Sequence, residues 1–144
     1  MATNLSTQFV IPFGDTEVVP LSHRIFLGGR KSLRGFKRGQ VGPKTDEGVI
    51  VGGDRALFLN TELRYDLLRD VTAFVFLDMG QSIMKFRGDF VGDDLSLSDL
   101  RFSPGLGLAY KTPIGPLSIE YAFVLDRQEG EPFGRFALSM GGAF

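Results

Sequence analysis

The chain has 144 residues, room for one domain, and its 43% hydrophobic and 23% charged residues exclude a disordered chain. Sixteen Lys and Arg against 17 Asp and Glu give a net charge of -1, without the basic excess of a nucleic-acid binder. Cysteine is absent and His23 is the one histidine, which removes disulfides, thiolate metal sites and cysteine nucleophiles and leaves little imidazole chemistry.

No run approaches the roughly 18 apolar residues of a transmembrane helix. Met1 to Gln8 has neither the basic start nor the apolar core of a secretory leader. The chain is therefore either soluble or part of a longer exported protein, and its patterning favours the second.

The dominant period is two, that of strands with unlike faces. Taken in chain order, strands are predicted over about 4–13, 55–65, 71–78, 101–112, 117–126 and 135–144, with a long connection over 14–54. One parity reads Phe9, Ile11 and Phe13, then Leu57, Leu59 and Leu63, then Val71, Val75 and Leu77. It continues through Leu106, Leu108 and Tyr110, then Leu117, Ile119 and Tyr121, and ends with Phe136, Leu138, Met140 and Phe144, without a charge anywhere. The other parity carries Asn60, Glu62, Arg64, Asp78, Glu120 and Arg135 among Ser103, Gly105, Gly107, Ala109, Ala137 and Ser139. Soluble sandwiches and lipid-binding barrels show water a face rich in Lys, Glu and Thr. Small residues with a few charges suit instead a crowded, wet interior, with the apolar face toward lipid. On this reading small residues point inward and aromatics outward. Lipid cannot hydrogen-bond a strand edge, so such strands must close into a barrel.

The connections agree. Those around 66–70 and 113–116 are short, whereas those after Phe13 and Leu77 are long, as in an up-and-down meander with turns on one side and loops on the other. Tyr65 and Tyr110 fall at the short-turn end, where an aromatic girdle belongs. Pro104 breaks the pattern, because proline removes a ladder hydrogen bond, and a bulge or interruption is expected there.

The long connection contains Phe26-Leu27-Gly28-Gly29-Arg30-Lys31-Ser32-Leu33-Arg34-Gly35-Phe36. Gly42-Pro43 follows, then Glu62-Leu63, Asp78-Met79-Gly80, Pro113-Ile114-Gly115-Pro116-Leu117, and a terminal Phe144. In this order the set resembles the BamA/TamA superfamily of outer-membrane insertases and two-partner-secretion transporters, the bacterial surface antigen barrels. The resemblance covers about residue 20 onward.

It implies an all-β, antiparallel up-and-down transmembrane β-barrel of sixteen strands, of which residues 1–144 would supply the six C-terminal ones. It implies a loop folded back into the barrel, with Arg34 meeting Glu62 and Asp78 while Gly35 permits a bend and Phe36 anchors. It implies a terminal strand signal in Phe136, Leu138, Met140 and Phe144. The expected function is assembly or insertion of outer-membrane proteins, without enzymatic activity or cofactor, by templating client strands at the last-strand seam. Expected partners are the lipid bilayer, unfolded outer-membrane clients, and accessory subunits reached through POTRA repeats that this chain lacks. The location would be a bacterial outer membrane or an organelle outer membrane. Within the family a two-partner-secretion transporter is the alternative. Outside it, a small self-contained barrel that spans a membrane or binds a lipophile would need two extra strands, around 22–27 and 47–52.

Other motifs carry less. Arg30, Lys31, Arg34, Lys37 and Arg38 form a basic cluster, yet the overall charge speaks against nucleic acid. Gly29-Arg30-Lys31-Ser32 lacks the glycine before lysine and the following helix of a phosphate loop. Asp89, Asp93, Asp94 and Asp99 fit no calcium-loop spacing, and Arg87-Gly88-Asp89 reads as a chance tripeptide. Glu62 with Asp78 lacks a nucleophile and reads as structural.

Overall fold

The computed structural model describes residues 2–9, 19–84 and 99–140, with side chains from residue 19 onward. Six strands form one antiparallel sheet in sequence order: β1 (Ala2–Phe9), β2 (Arg55–Leu68), β3 (Val71–Ile83), β4 (Arg101–Thr112), β5 (Gly115–Phe123) and β6 (Gly134–Met140). A three-residue 3₁₀ turn at Leu21–His23 lies in the connection between β1 and β2. The sheet is open: β1 pairs with β2 and β6 with β5, and each has one other edge.

Alternation along each strand sorts the side chains as the pleat requires. On one face Ala56, Phe58, Asn60 and Glu62 of β2 are buried, as are Thr72, Phe74, Phe76 and Asp78 of β3, Ser103 and Ala109 of β4, and Glu120 and Ala122 of β5. On the other, Leu63, Val75, Leu106, Leu108, Ile119, Phe136 and Leu138 are exposed, Leu106 by 54% and Leu138 by 65%. The burial is inverted relative to a water-soluble sheet, whose charges would be outside.

The 19–54 segment covers the inner face. Leu27 pairs with Val41, and Ile25 with Gly53, as isolated bridges. Its apolar residues Ile25, Leu27, Leu33, Phe36 and Val41 pack on Ala56, Phe58 and Val124, so the core lies between loop and wall. A second cluster on the same face joins Phe74, Phe76, Ala109 and Ala122.

Several expectations need correction. Aromatics are not confined to the outside: Phe58, Phe74 and Phe76 point inward. The reason is cross-strand space. A Cβ on Gly105 would stand 2.2 Å from Phe76 Cζ, and one on Gly107 2.4 Å from Phe74 Cζ, so each glycine yields its volume to a ring. Strand β3 continues to Ile83 rather than ending at Asp78, and Gly80 lies within it. Gly80 pairs with Phe58, whose Cβ would lie 2.8 Å from a Cβ there. Strand β2 runs to Leu68, with a register shift between Asp66 and Leu68. Strand β5 starts earlier, at Gly115, and ends at Phe123, while β6 begins at Gly134.

Pro104 neither bulges nor interrupts β4. It pairs with Leu77 of β3, and pairing with β5 begins one residue later at Gly105, so no β5 ladder position in that register needs its missing N–H. The segments around 22–27 and 47–52 add no strand to the sheet; they make only isolated bridges within the loop. The end of the first predicted strand, the loop aspartates 89, 93 and 94, the tripeptide at 87–89 and Phe144 all lie outside the described residues.

Candidate functional site: an arginine held inside the sheet

The loop is shaped to bring one arginine to the wall. Gly28 and Gly29 have φ of 109° and 90°, backbone that side-chain-bearing residues rarely adopt. The Gly29 N–H is shared by the Leu33 and Phe36 carbonyls, both at 3.0 Å, and Ser32 Oγ accepts from the Gly28 N–H at 2.9 Å. This tight coil turns Leu33 and Phe36 into the core, both fully buried. Arg34, between them, is aimed at the strands.

Arg34 donates through Nε to Asp78 Oδ2 and through Nη2 to Asp78 Oδ1, each at 2.8 Å, a two-pronged contact that lysine cannot make. Its own backbone N–H also reaches Asp78 Oδ2 at 3.0 Å. Nη1 donates to Glu62 Oε2 at 2.9 Å and stands 3.5 Å from Glu120 Oε2. The guanidinium carbon lies 3.4 Å from the centroid of the Phe76 ring, so one face of the cation rests on an aromatic surface. Asn60 Nδ2 braces the arrangement, donating to Asp78 Oδ1 at 2.8 Å and to the Ser32 carbonyl at 2.6 Å. Arg64 reaches the second oxygen of Glu62 from the more exposed side.

The next two residues dock by other means. The Gly35 N–H donates to Ser103 Oγ at 2.7 Å. A Cβ on Gly35 would lie 2.6 Å from that oxygen and 2.7 Å from the Phe123 carbonyl, so no other residue fits this approach. The Phe36 carbonyl accepts from Arg135 Nη1 at 2.7 Å, and the Arg101 guanidinium lies 4.6 Å from the Phe36 ring.

Arg34, Gly35, Phe36, Glu62 and Asp78 therefore come together in one buried site. Phe136, Leu138 and Met140 instead share the exposed face of β6, away from it. Sequence reasoning assigned Asn60, Ser103, Glu120 and Arg135 to the inner parity without joining them to the arginine. The missing signal was register, which sets Asn60 opposite Asp78, and Asp78 opposite Ser103. Phe76 could have been suspected from its inward parity. Burying three carboxylates around one guanidinium fork carries a desolvation cost, which argues for positioning of the loop rather than net stability.

An apolar exterior, a polar charged interior and a loop packed against that interior define the wall of a transmembrane β-barrel. The Omp85 superfamily domain matches residues 1–144, and the chain belongs to that superfamily. It is 37% identical over 131 residues to the outer membrane protein assembly factor BamA of Nitratidesulfovibrio vulgaris, covering 88% of this chain and 16% of that protein. It is 30% identical over 124 residues to the chloroplastic outer envelope protein 80 of Arabidopsis thaliana, covering 83% and 15%. The crystal structure of BamA from Haemophilus ducreyi lacking POTRA domains 1-3 superposes with a TM-score of 0.65 at 26% identity, over 83% of this chain and 27% of that one. The chain thus spans about a sixth of the length of these curated relatives. It is an outer-membrane β-barrel segment from a family of outer-membrane protein assembly factors.

Proposed function

We propose that this chain forms the C-terminal wall of a larger barrel that assembles client β-barrels into the outer membrane, acting without enzymatic chemistry. The observation that carries the reading is the inverted sheet with its two unjoined edges. An apolar exterior belongs in lipid, lipid demands that every edge be paired, and six strands in this order leave β1 and β6 unjoined to each other. Further strands of the same protein would complete the wall. The edge of β6, with Phe136, Leu138 and Met140 facing lipid, would be the seam at which a client strand adds by β-augmentation. POTRA repeats elsewhere in the protein would receive accessory subunits and unfolded clients.

In this reading Arg34, Gly35 and Phe36 hold the loop against the wall through Asp78 and Glu62, keeping the barrel interior in one arrangement while the seam works. Removing Arg34 leaves the buried Asp78 without its cation, a loss of about 3–5 kcal/mol for a buried pair broken from one side. In the full-length protein, Arg34→Ala should make the loop protease-sensitive and lower the rate of client insertion into lipid vesicles. Unchanged insertion together with an unchanged digestion pattern would remove the loop from the mechanism.

A further inference from the structure

We infer that the loop also grips the last hairpin, and that Arg135 is the positioning residue joining loop docking to the terminal strand. The inference uses the assembly reading only for what that strand does. Its basis is a set of contacts that converge on Phe36 from β4, β6 and the β5–β6 connection.

Phe36 and Leu33 pack against Val124, which follows directly on β5. Arg135, the second residue of β6, donates to the Phe36 carbonyl at 2.7 Å. The Arg101 guanidinium faces the Phe36 ring and is itself held by Asp126 and Glu131 of the β5–β6 connection, with Nη2 also donating to the Asp126 carbonyl at 3.3 Å. Lys44, farther along the loop, adds Gln128 of the same connection. The loop thus touches β6 and its approach through three separate side chains, and Arg135 is the one that belongs to β6.

This matters because β6 is an edge strand. Seven residues pair it with β5, from Leu117↔Met140 to Phe123↔Gly134, and no other described strand holds it. Arg135 fastens the start of that strand to an element that is in turn bound to β2, β3 and β4. Docking of the Arg34 site and the position of β6 are then linked, and by linkage the effect runs in both directions.

Hydrogen exchange of the full-length protein in lipid vesicles tests this with Arg34→Ala, Arg135→Ala, the double variant and Arg135→Lys. Loss of one charge-assisted hydrogen bond should speed exchange in Gly134–Met140 by about tenfold. It should also speed exchange in the 25–41 segment, and Arg34→Ala should loosen β6 in return. In the double variant the two effects should not add, because each change releases the same tie. Arg135→Lys, which keeps a cationic donor, should restore both segments. Should Arg135→Ala fail to assemble, Arg135→Gln serves in its place. Faster exchange confined to β6, additive effects, or no rescue by lysine would overturn the inference. Linked exchange with undiminished client insertion would uphold the tie and count against the assembly reading.

Discussion

Gly35 and Gly48 are both glycines of the same loop, yet for opposite reasons. Gly35 has no room for a methyl group beside Ser103 and the Phe123 carbonyl, whereas a Cβ on Gly48 meets nothing, and its constraint is a φ of 79°. Gly48→Ala should therefore cost about 1 kcal/mol, the strain of a left-handed conformation, and leave the loop in place. Gly35→Ala should release the Arg34 site from the wall. Limited proteolysis of the two variants in vesicles would separate them, and equal cleavage would contradict the contact argument.

Glu131 belongs to the same scale. Burial opposes its charge, but hydrogen bonds from Arg101 and from the Gln128 N–H, with the charges of Arg101 and Lys44, hold its carboxyl below the usual glutamate range. An unfolded Glu131 therefore binds a proton at a higher pH than the folded one. Its stabilising contribution is complete above the ordinary glutamate range and disappears as pH falls through the lowered folded value. Glu131→Gln should make the β5–β6 connection easier to digest at neutral pH and indistinguishable from wild type in strong acid. A difference that persisted in acid would refute the assignment.

At the scale of the strand, the fit of β3 against β4 depends on exchanging side-chain volume across the register. Phe76↔Gly105 and Phe74↔Gly107 place each inward ring opposite a glycine. Gly105→Ala should push Phe76 away from the Arg34 guanidinium and destabilise by about 1–3 kcal/mol, the usual cost of overpacking. Combining it with Phe76→Leu should recover part of that loss in urea unfolding from vesicles, and strictly additive losses would show the two do not compete for space. The strands themselves were legible from period two, and so was the parity of every inward carboxylate. Pro104 was misread because the local rule treats proline as a breaker, while the neighbouring strands decide whether its missing N–H matters.

For the whole molecule, the outer face is the test of the membrane reading. Leu106 stands exposed near the middle of β4. Leu106→Arg should cost about 2–4 kcal/mol if that face meets the centre of a bilayer, measured by urea unfolding from vesicles. A neutral result would place the face elsewhere.

The sequence by itself determined the inverted two-faced pattern and the strand count, because these follow from a repeat of two, while the meeting of Arg34 with Glu62 and Asp78 was expected only from the family resemblance. Parity could say that Glu62, Asp78 and Glu120 face inward together. It could not say that Asn60 braces Asp78, that Phe76 lies beneath the guanidinium, or that Arg135 reaches Phe36. Those contacts join residues up to 99 positions apart. They depend on strand register, set by the pairing of neighbouring strands. They depend also on how deeply the loop descends, set by the packing of Leu33 and Phe36 against the wall. Only the tertiary structure decides either.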